Sequence, residues 1–308
     1  MRAVTPPATS RASLQNRLIV HVVLPIRGGK RRYTSLERTS RHIAARAARP
    51  TRFTPPRRLR RRVAVSREDR QGWPVYSVQP LEIRPPSRTV LYFHGGAYVN
   101  EITRSHWALA ARIAREASCR CLVPIYPLGA RTGAAQVVAT GSEIAAQVIE
   151  QTGELVVAGD SAGGGLALAV SLALRDSGLT PSQIILVSPW LDVRIDQPEQ
   201  RALERRDAML AVVGLREAAR TYACGLPLDD PRISPLNGEL RGLPPITVFT
   251  GTNDILNPDS HRLRERCSAS GVSCELVEAP GMPHVYPLMP TPEGRGARRR
   301  LVELLVDS

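Results

Sequence analysis

Lysine is almost absent: of the 42 basic residues in this 308-residue chain, only Lys30 is not arginine. Such a bias is the compositional habit of an arginine-favouring, GC-rich coding sequence, so the arginine count alone argues for no guanidinium-specific function. Aromatic residues are scarce at 4%. The basic run PPRRLRRR (55–62) has none interleaved, so it lacks the stacking partners of a single-strand nucleic-acid site. No apolar run reaches the roughly 20 residues of a membrane-spanning helix. The nearest approach to a signal-peptide core, LIVHVVLPI (18–26), is broken by His21 and followed by RGGKRRY where a small-residue cleavage site belongs. The five cysteines, Cys119, Cys121, Cys224, Cys267 and Cys274, are odd in number and lack CxxC pairing or a neighbouring histidine cluster. Reduced thiols in a cytoplasmic protein are expected, with no disulfide framework, metal site or cofactor.

What is present is material for a core. Apolar residues make up 43% of the chain, enough at this length for one large α/β domain or two modest ones. The net charge of +14 is unevenly placed: residues 1–70 hold 19 Lys+Arg against 3 Asp+Glu, and residues 71–308 hold 23 against 25. The positive charge therefore belongs to the N-terminal segment. A charge run of this kind is ordinarily a solvated face; its functional reading is a weak electrostatic contact with an anionic membrane surface. No nucleic-acid partner is expected, because no recognition motif surrounds the run.

From about Thr89 onward, short apolar runs alternate with amphipathic stretches. TVLYFH, RCLVPIY, ELVVAGD, QIILVSP, PITVFTG and SCELVEA read as strands, several of them continuously apolar, as in a sheet covered on both faces. Between them lie helix candidates, among them SHWALAARIAREAS with Ser105 as its cap, and LALAVSLALRD. That succession predicts an α/β fold with a mostly parallel sheet and right-handed crossovers. Two segments break the rhythm: the basic N-terminal 1–60, and an amphipathic insertion over 192–240. The α/β core would then comprise 61–191 and 241–308. An insertion of that length is too long for a plain crossover, and it is expected to fold over something.

GDSAGGG (159–165) places one serine at the turn from a strand into a helix. A nucleophilic hydroxyl must stand clear of its sheet on a sharp turn with little bulk beside it, and in G-x-S-x-G the glycines Gly159 and Gly163 leave that room around Ser161. The helix that follows aims unpaired N–H groups at the point where an oxyanion forms, the N–H of Ala162 first. Glycine-rich turns of this type also bind phosphates and dinucleotides, but no Gly-Lys-Ser/Thr or G-x-G-x-x-G is present. FHGGAY (93–98) ends an earlier strand, where Gly95 and Gly96 can supply the other oxyanion donors. Downstream, GTNDIL puts Asp254 and PGMPHVY puts His284 at the ends of the last two strands, which completes the order Ser, Asp, His. His261, in a predicted helix, is poorly placed to reach the serine. Asp259 is the second-ranked acid, otherwise a helix N-terminal charge. Asp160 and Asp192 read as structural hydrogen-bonders.

HGGAY, GDSAGG, SPWLD, DPRISPL, GTNDIL and GMPHVY in this order resemble the hormone-sensitive-lipase family of α/β-hydrolases, over roughly Arg88 to the C-terminus. The resemblance implies an eight-stranded sheet and a helical cap built from the N-terminal segment and the insertion after the sixth strand. It also implies Ser161 as nucleophile, His284 as general base and then acid, Asp254 as its orienting carboxylate, and the N–H groups of Gly95, Gly96 and Ala162 as oxyanion hole, with His94 supporting that loop. Ala97 stands where some members carry a further glycine, which bears on how bulky an alcohol the site accepts. The activity implied is a serine carboxylesterase acting on short-to-medium acyl esters through an acyl-enzyme, with a small-molecule ester as partner. An amide or formamide hydrolase or an acyltransferase on the same triad stays open, as does a non-catalytic binding homologue of the gibberellin-receptor kind, which lacks the histidine.

Overall fold

The structure is a computed structural model that describes residues 12–82 and 88–306; the first eleven residues of the basic N-terminal segment lie outside it. That segment is helical where described. Helix α1 (Leu14–Leu18) runs through a π-helical stretch (Ile19–Val23) into α2 (Leu24–Arg27), stopped by Gly28 in the left-handed region at φ 63°. A 3₁₀ turn (Lys30–Tyr33) leads into α3 (Leu36–Ala48), whose first turn is capped by Ser35 Oγ accepting the N–H of Arg38.

Strands β1 (Ala64–Arg70) and β2 (Trp73–Gln79) then form an antiparallel hairpin around Gln71 and Gly72, both at positive φ (49° and 77°). This is the two-residue turn whose twist matches that of its strands. Next come β3 (Thr89–Phe93), α4 (Arg104–Glu116), β4 (Arg120–Pro124), α5 (Ala134–Thr152), β5 (Val156–Asp160), α6 (Ala162–Asp176) and β6 (Gln183–Val187). The insertion carries α7 (Pro198–Leu203) and α8 (Val212–Ala223), and the chain closes with β7 (Ile246–Asn253), α9 (Asn257–Ala269), β8 (Cys274–Pro283) and α10 (Pro292–Val306).

The eight strands form one sheet in the order β1-β2-β4-β3-β5-β6-β7-β8, parallel from β4 through β8 and antiparallel at the β1 and β2 edge. Strands β3, β5 and β6 are buried at every residue, because α5 and α6 cover one face with one apolar cluster while α4 and α10 cover the other with a second. Helix α6 is buried nearly all round, which explains why its sequence is apolar without a stripe.

The six strands expected from the sequence are all present. The β1–β2 hairpin was not anticipated, since β1 is an edge strand with mostly exposed polar residues and shows no apolar alternation. Helix α4 is capped by Thr103 rather than Ser105: His106 Nδ1 accepts the Thr103 N–H at 2.9 Å, so an imidazole serves where a carboxylate usually closes a capping box.

The two irregular segments pack on each other. Ser40 Oγ on α3 donates to Glu217 Oε1 on α8 at 3.1 Å, and Lys30 Nζ reaches the carbonyls of Glu204 and Asp207 beyond α7. The N-terminal segment also touches the loop after β3, where His42 Nε2 meets Asn100 Oδ1 at 2.8 Å and Asn100 Nδ2 donates to the Tyr33 hydroxyl at 2.6 Å.

Candidate active site

Ser161 sits between β5 and α6 with φ 53° and ψ −122°, a backbone conformation that non-glycine residues hold only when their surroundings enforce it. Here the enforcement is visible. The Ser161 N–H donates to Val187 O at 2.8 Å, and its carbonyl accepts from the N–H groups of Trp190 (2.9 Å) and Gly164 (3.0 Å). A Cβ on Gly159 would lie 2.2 Å from the carbonyl oxygen of Gly163, and one on Gly163 would lie 2.1 Å from that of Phe93. The turn closes only with glycine at both positions.

The His284 ring lies between Ser161 and Asp254. Its Nε2 is 2.9 Å from Ser161 Oγ and its Nδ1 is 2.9 Å from Asp254 Oδ2, with all three residues buried. Asp254 follows β7 and its other oxygen, Oδ1, accepts the N–H of Leu256 at 2.9 Å. The loop bearing His284 is pinned by the Val285 N–H donating to Ser188 Oγ at 3.0 Å. Burial pulls the His284 pKa down, but the charge and hydrogen bond of Asp254, with Asp207 and Asp160 further off, outweigh it and leave the ring more basic than an ordinary histidine.

Asp207, in the insertion, has no sequence signal pointing to this site. Its Oδ2 accepts the N–H of Ile255, the residue after Asp254, at 3.0 Å, while Oδ1 accepts the N–H groups of Met209 (2.7 Å) and Leu210 (2.9 Å). Burial, then the neighbouring charge of Asp254, pushes its pKa up to about 6. The short Asx-type turn at 207–210 is legible as a local motif, but its bond to a loop far along the chain is not.

The loop after β3 requires one correction. The N–H of Gly95, expected in the oxyanion hole, donates to Asp160 Oδ1 at 2.9 Å, inside the protein. The same carboxylate accepts the Tyr92 hydroxyl and faces His106 Nε2 at 3.2 Å. Since His106 Nδ1 already accepts the Thr103 N–H, Nε2 is the nitrogen that donates. Burial raises the Asp160 pKa, but His106, Tyr92 and the Gly95 N–H outweigh it and hold this carboxyl below the usual 3.8. By contrast, no backbone hydrogen bond among the described residues engages the N–H of Gly96, Ala97 or Ala162. Gly96 (φ 138°) and Ala97 (φ 53°) are both at positive φ, which turns this stretch sharply.

His94 holds the loop from beneath, with Nδ1 2.8 Å from Gly95 O and its ring stacked on Tyr126 at 4.6 Å. Complete burial, then the charge of His106, lowers its pKa to about 4, so it is neutral at physiological pH. Asp192 and Asp259 are structural. Asp192 is held by Arg194 (2.7 Å) and Arg262 (3.4 Å), and Asp259, in the first turn of α9, by Arg262 (2.8 Å) and Gln200 (2.9 Å). His261 pairs with Glu278 at 2.7 Å.

The α/β-hydrolase fold family matches residues 90–288 of the chain. A Mycobacterium tuberculosis protein named as an acetyl-hydrolase, LipR, is 35% identical over 262 residues, covering 82% of this chain and 80% of its own. An acetyl-hydrolase of Streptomyces hygroscopicus is 32% identical over 222 residues, covering 70% and 74%. Among solved structures, an esterase/lipase from an uncultured bacterium superposes with a TM-score of 0.81 at 25% identity, covering 96% of this chain and 99% of its own. The chain belongs to the hormone-sensitive-lipase family of α/β-hydrolases, and it is a carboxylic ester hydrolase.

Proposed function

We propose that the protein is a serine carboxylesterase that hydrolyses short-to-medium acyl esters through an acyl-enzyme. The observation that carries this reading is the single imidazole of His284 bridging Ser161 Oγ and Asp254 Oδ2 at 2.9 Å each. Ser161 attacks the ester carbonyl as His284 takes its proton; the same ring then protonates the leaving alcohol, and water returns through the same states to release the acid. Asp254 keeps the proton on Nδ1 and stabilises the imidazolium. The N–H groups of Gly96, Ala97 and Ala162, free of other backbone partners, receive the tetrahedral oxyanion, each contributing roughly 3 kcal/mol to the lowering of the barrier.

The acyl end of the substrate is small in this reading, as the names of two relatives as acetyl-hydrolases suggest. Within the two irregular segments, 1–60 and 192–240, the described helices α3, α7 and α8 serve together as the cap over the site, consistent with the contacts between α3 and α8. The test is turnover of a graded series of nitrophenyl esters by the wild type and Ser161→Ala. We expect a loss of roughly 10⁴-fold or more in kcat with the fold retained, and a chain-length optimum at the short end. Parental turnover by the purified variant would refute the assignment.

A further inference from the structure

The arginine-rich run of the N-terminal segment holds none of the serine, histidine and carboxylate side chains of the site, yet it lines a cleft. Arg52, Arg57 and Arg58 on one side and Arg104, at the start of α4, on the other line a concavity of about 640 Å³, floored by apolar side chains including Ile102 and Trp107. None of its lining residues belongs to the serine, histidine and carboxylate constellation. Arg52 donates to Thr54 Oγ1 at 2.6 Å, whereas among the described residues no ion pair engages Arg57, Arg58 or Arg104. Four cations around one concavity repel one another, and an anion held between them relieves that repulsion. The volume falls within the range of small-molecule sites.

We infer that this cleft binds a phosphate ester group. Guanidinium forks match the tetrahedral oxygens of phosphate in bidentate pairs. A phosphate monoester, carrying close to two charges, balances the cluster better than a carboxylate does. The group is supplied either by a free phosphorylated metabolite or by the headgroup of an anionic phospholipid. The chemistry is shared, and the sources separate by experiment. A separate, smaller hollow of about 290 Å³ is also lined by α4 residues, with Arg62, Arg112 and Arg115 beside Leu59 and Leu288.

The test uses the full chain and titrates inorganic phosphate and sn-glycerol 3-phosphate at ionic strength held constant with chloride, read by calorimetry and by thermal shift. The wild type is expected to bind at one site and to melt at higher temperature when loaded. A triple variant, Arg57→Ala, Arg58→Ala, Arg104→Ala, removes exposed side chains; it should keep its nitrophenyl ester turnover and bind about tenfold or more weaker. A control triple of exposed arginines outside the cleft lining, Arg31→Ala, Arg38→Ala, Arg49→Ala, should bind as the wild type does.

Vesicles of phosphatidylcholine with phosphatidic acid, whose headgroup is a phosphate monoester, supply the second arm. Binding displaced by glycerol 3-phosphate assigns the site to the free ester and the lipid alike, and cleft-dependent binding that resists displacement assigns it to the lipid headgroup. No binding to any probe, equal losses in both triples, or an RNA oligonucleotide retained by the cleft and not displaced by phosphate would overturn the inference.

Discussion

The N–H of Gly95 is bound to the carboxylate of Asp160, the residue that precedes Ser161, at 2.9 Å. The loop after β3 and the turn that carries the serine are thus parts of one buried polar unit, closed by Tyr92 and His106. Asp160→Asn keeps an acceptor for Gly95 but turns an amide toward the donating Nε2 of His106. The expected result is a stability loss of about 1–3 kcal/mol, with kcat reduced and KM little changed. The sign of the pH dependence follows from the lowered pKa. The stabilisation by the ionised carboxylate is fully present above pH 3.8 and is lost as pH falls through the lower folded value. Denaturant melts of the two proteins should therefore differ by a constant amount near neutrality and converge in strong acid; a gap that widens on acidification would contradict the account.

Gly96 and Ala97 make opposite predictions. A Cβ on Gly96 would sit 2.5 Å from Asn100 O, on a backbone at φ 138°, so Gly96→Ala must displace the loop and its N–H groups. A fall in kcat of about 10²-fold or more is expected. Ala97 already carries a Cβ at φ 53°, at a strain of roughly 1 kcal/mol. Ala97→Gly should relieve that strain and hold kcat close to the parental value. Presteady-state acylation rates on a nitrophenyl ester read both; acylation at the parental rate by Gly96→Ala would remove the N–H groups of this loop from the proposed oxyanion hole, and damage from Ala97→Gly would contradict the strain argument.

Asp207 sets a measurable pH. In the proposed mechanism His284 works as a base in its neutral form, and its pKa is raised above 6.5, in part by the charge of Asp207. The acid limb of kcat/KM should accordingly lie above pH 6.5 in the wild type. Asp207→Asn removes a negative charge near the imidazolium, so the limb moves to lower pH. Because Asp207 ionises only near about 6, the two profiles should differ most above that value. The substitution also weakens the hold on Ile255 and lowers kcat. A limb displaced toward higher pH would show that Asp207 does not act through the charge of His284.

What the sequence exposes is the part of the site where sterics are severe. Gly159 and Gly163 have no alternative because carbonyl oxygens lie about 2 Å from where a Cβ would be, so the turn that carries Ser161 is written in consecutive letters. The central strands are legible for a similar reason: burial on both faces leaves only apolar residues in β3 and β6. The edge strand β1 is hidden because it needs no apolar face. Which N–H of the HGGAY loop is free depends on where the Asp160 carboxylate points, and that is decided by Tyr92 and His106 on other elements. Asp207 is hidden more deeply still, since only the folded insertion brings it to Ile255.

Lys30 joins the N-terminal segment to that same turn. Its Nζ donates to the carbonyls of Glu204 (2.6 Å) and Asp207 (2.5 Å), groups left without helical partners beyond the end of α7. An ammonium with three rotatable donors can serve two converging carbonyls, whereas a planar guanidinium presents its donors in a fixed fork. In a chain that otherwise uses arginine throughout, this is the position at which the substitution is geometrically costly. Lys30→Arg and Lys30→Met should each destabilise the protein by about 1 kcal/mol, a figure that allows for partial solvent screening. Both should lower kcat by loosening the turn that steadies the Asp254 loop. With a single lysine in the chain, amine-selective acetylation followed by peptide mass mapping gives a second reading. Lys30 should react far more slowly in the folded enzyme than in urea, and acetylation at Lys30 should reduce kcat as the substitutions do. Rapid acetylation of the native protein without loss of activity would show that the two carbonyls do not hold it.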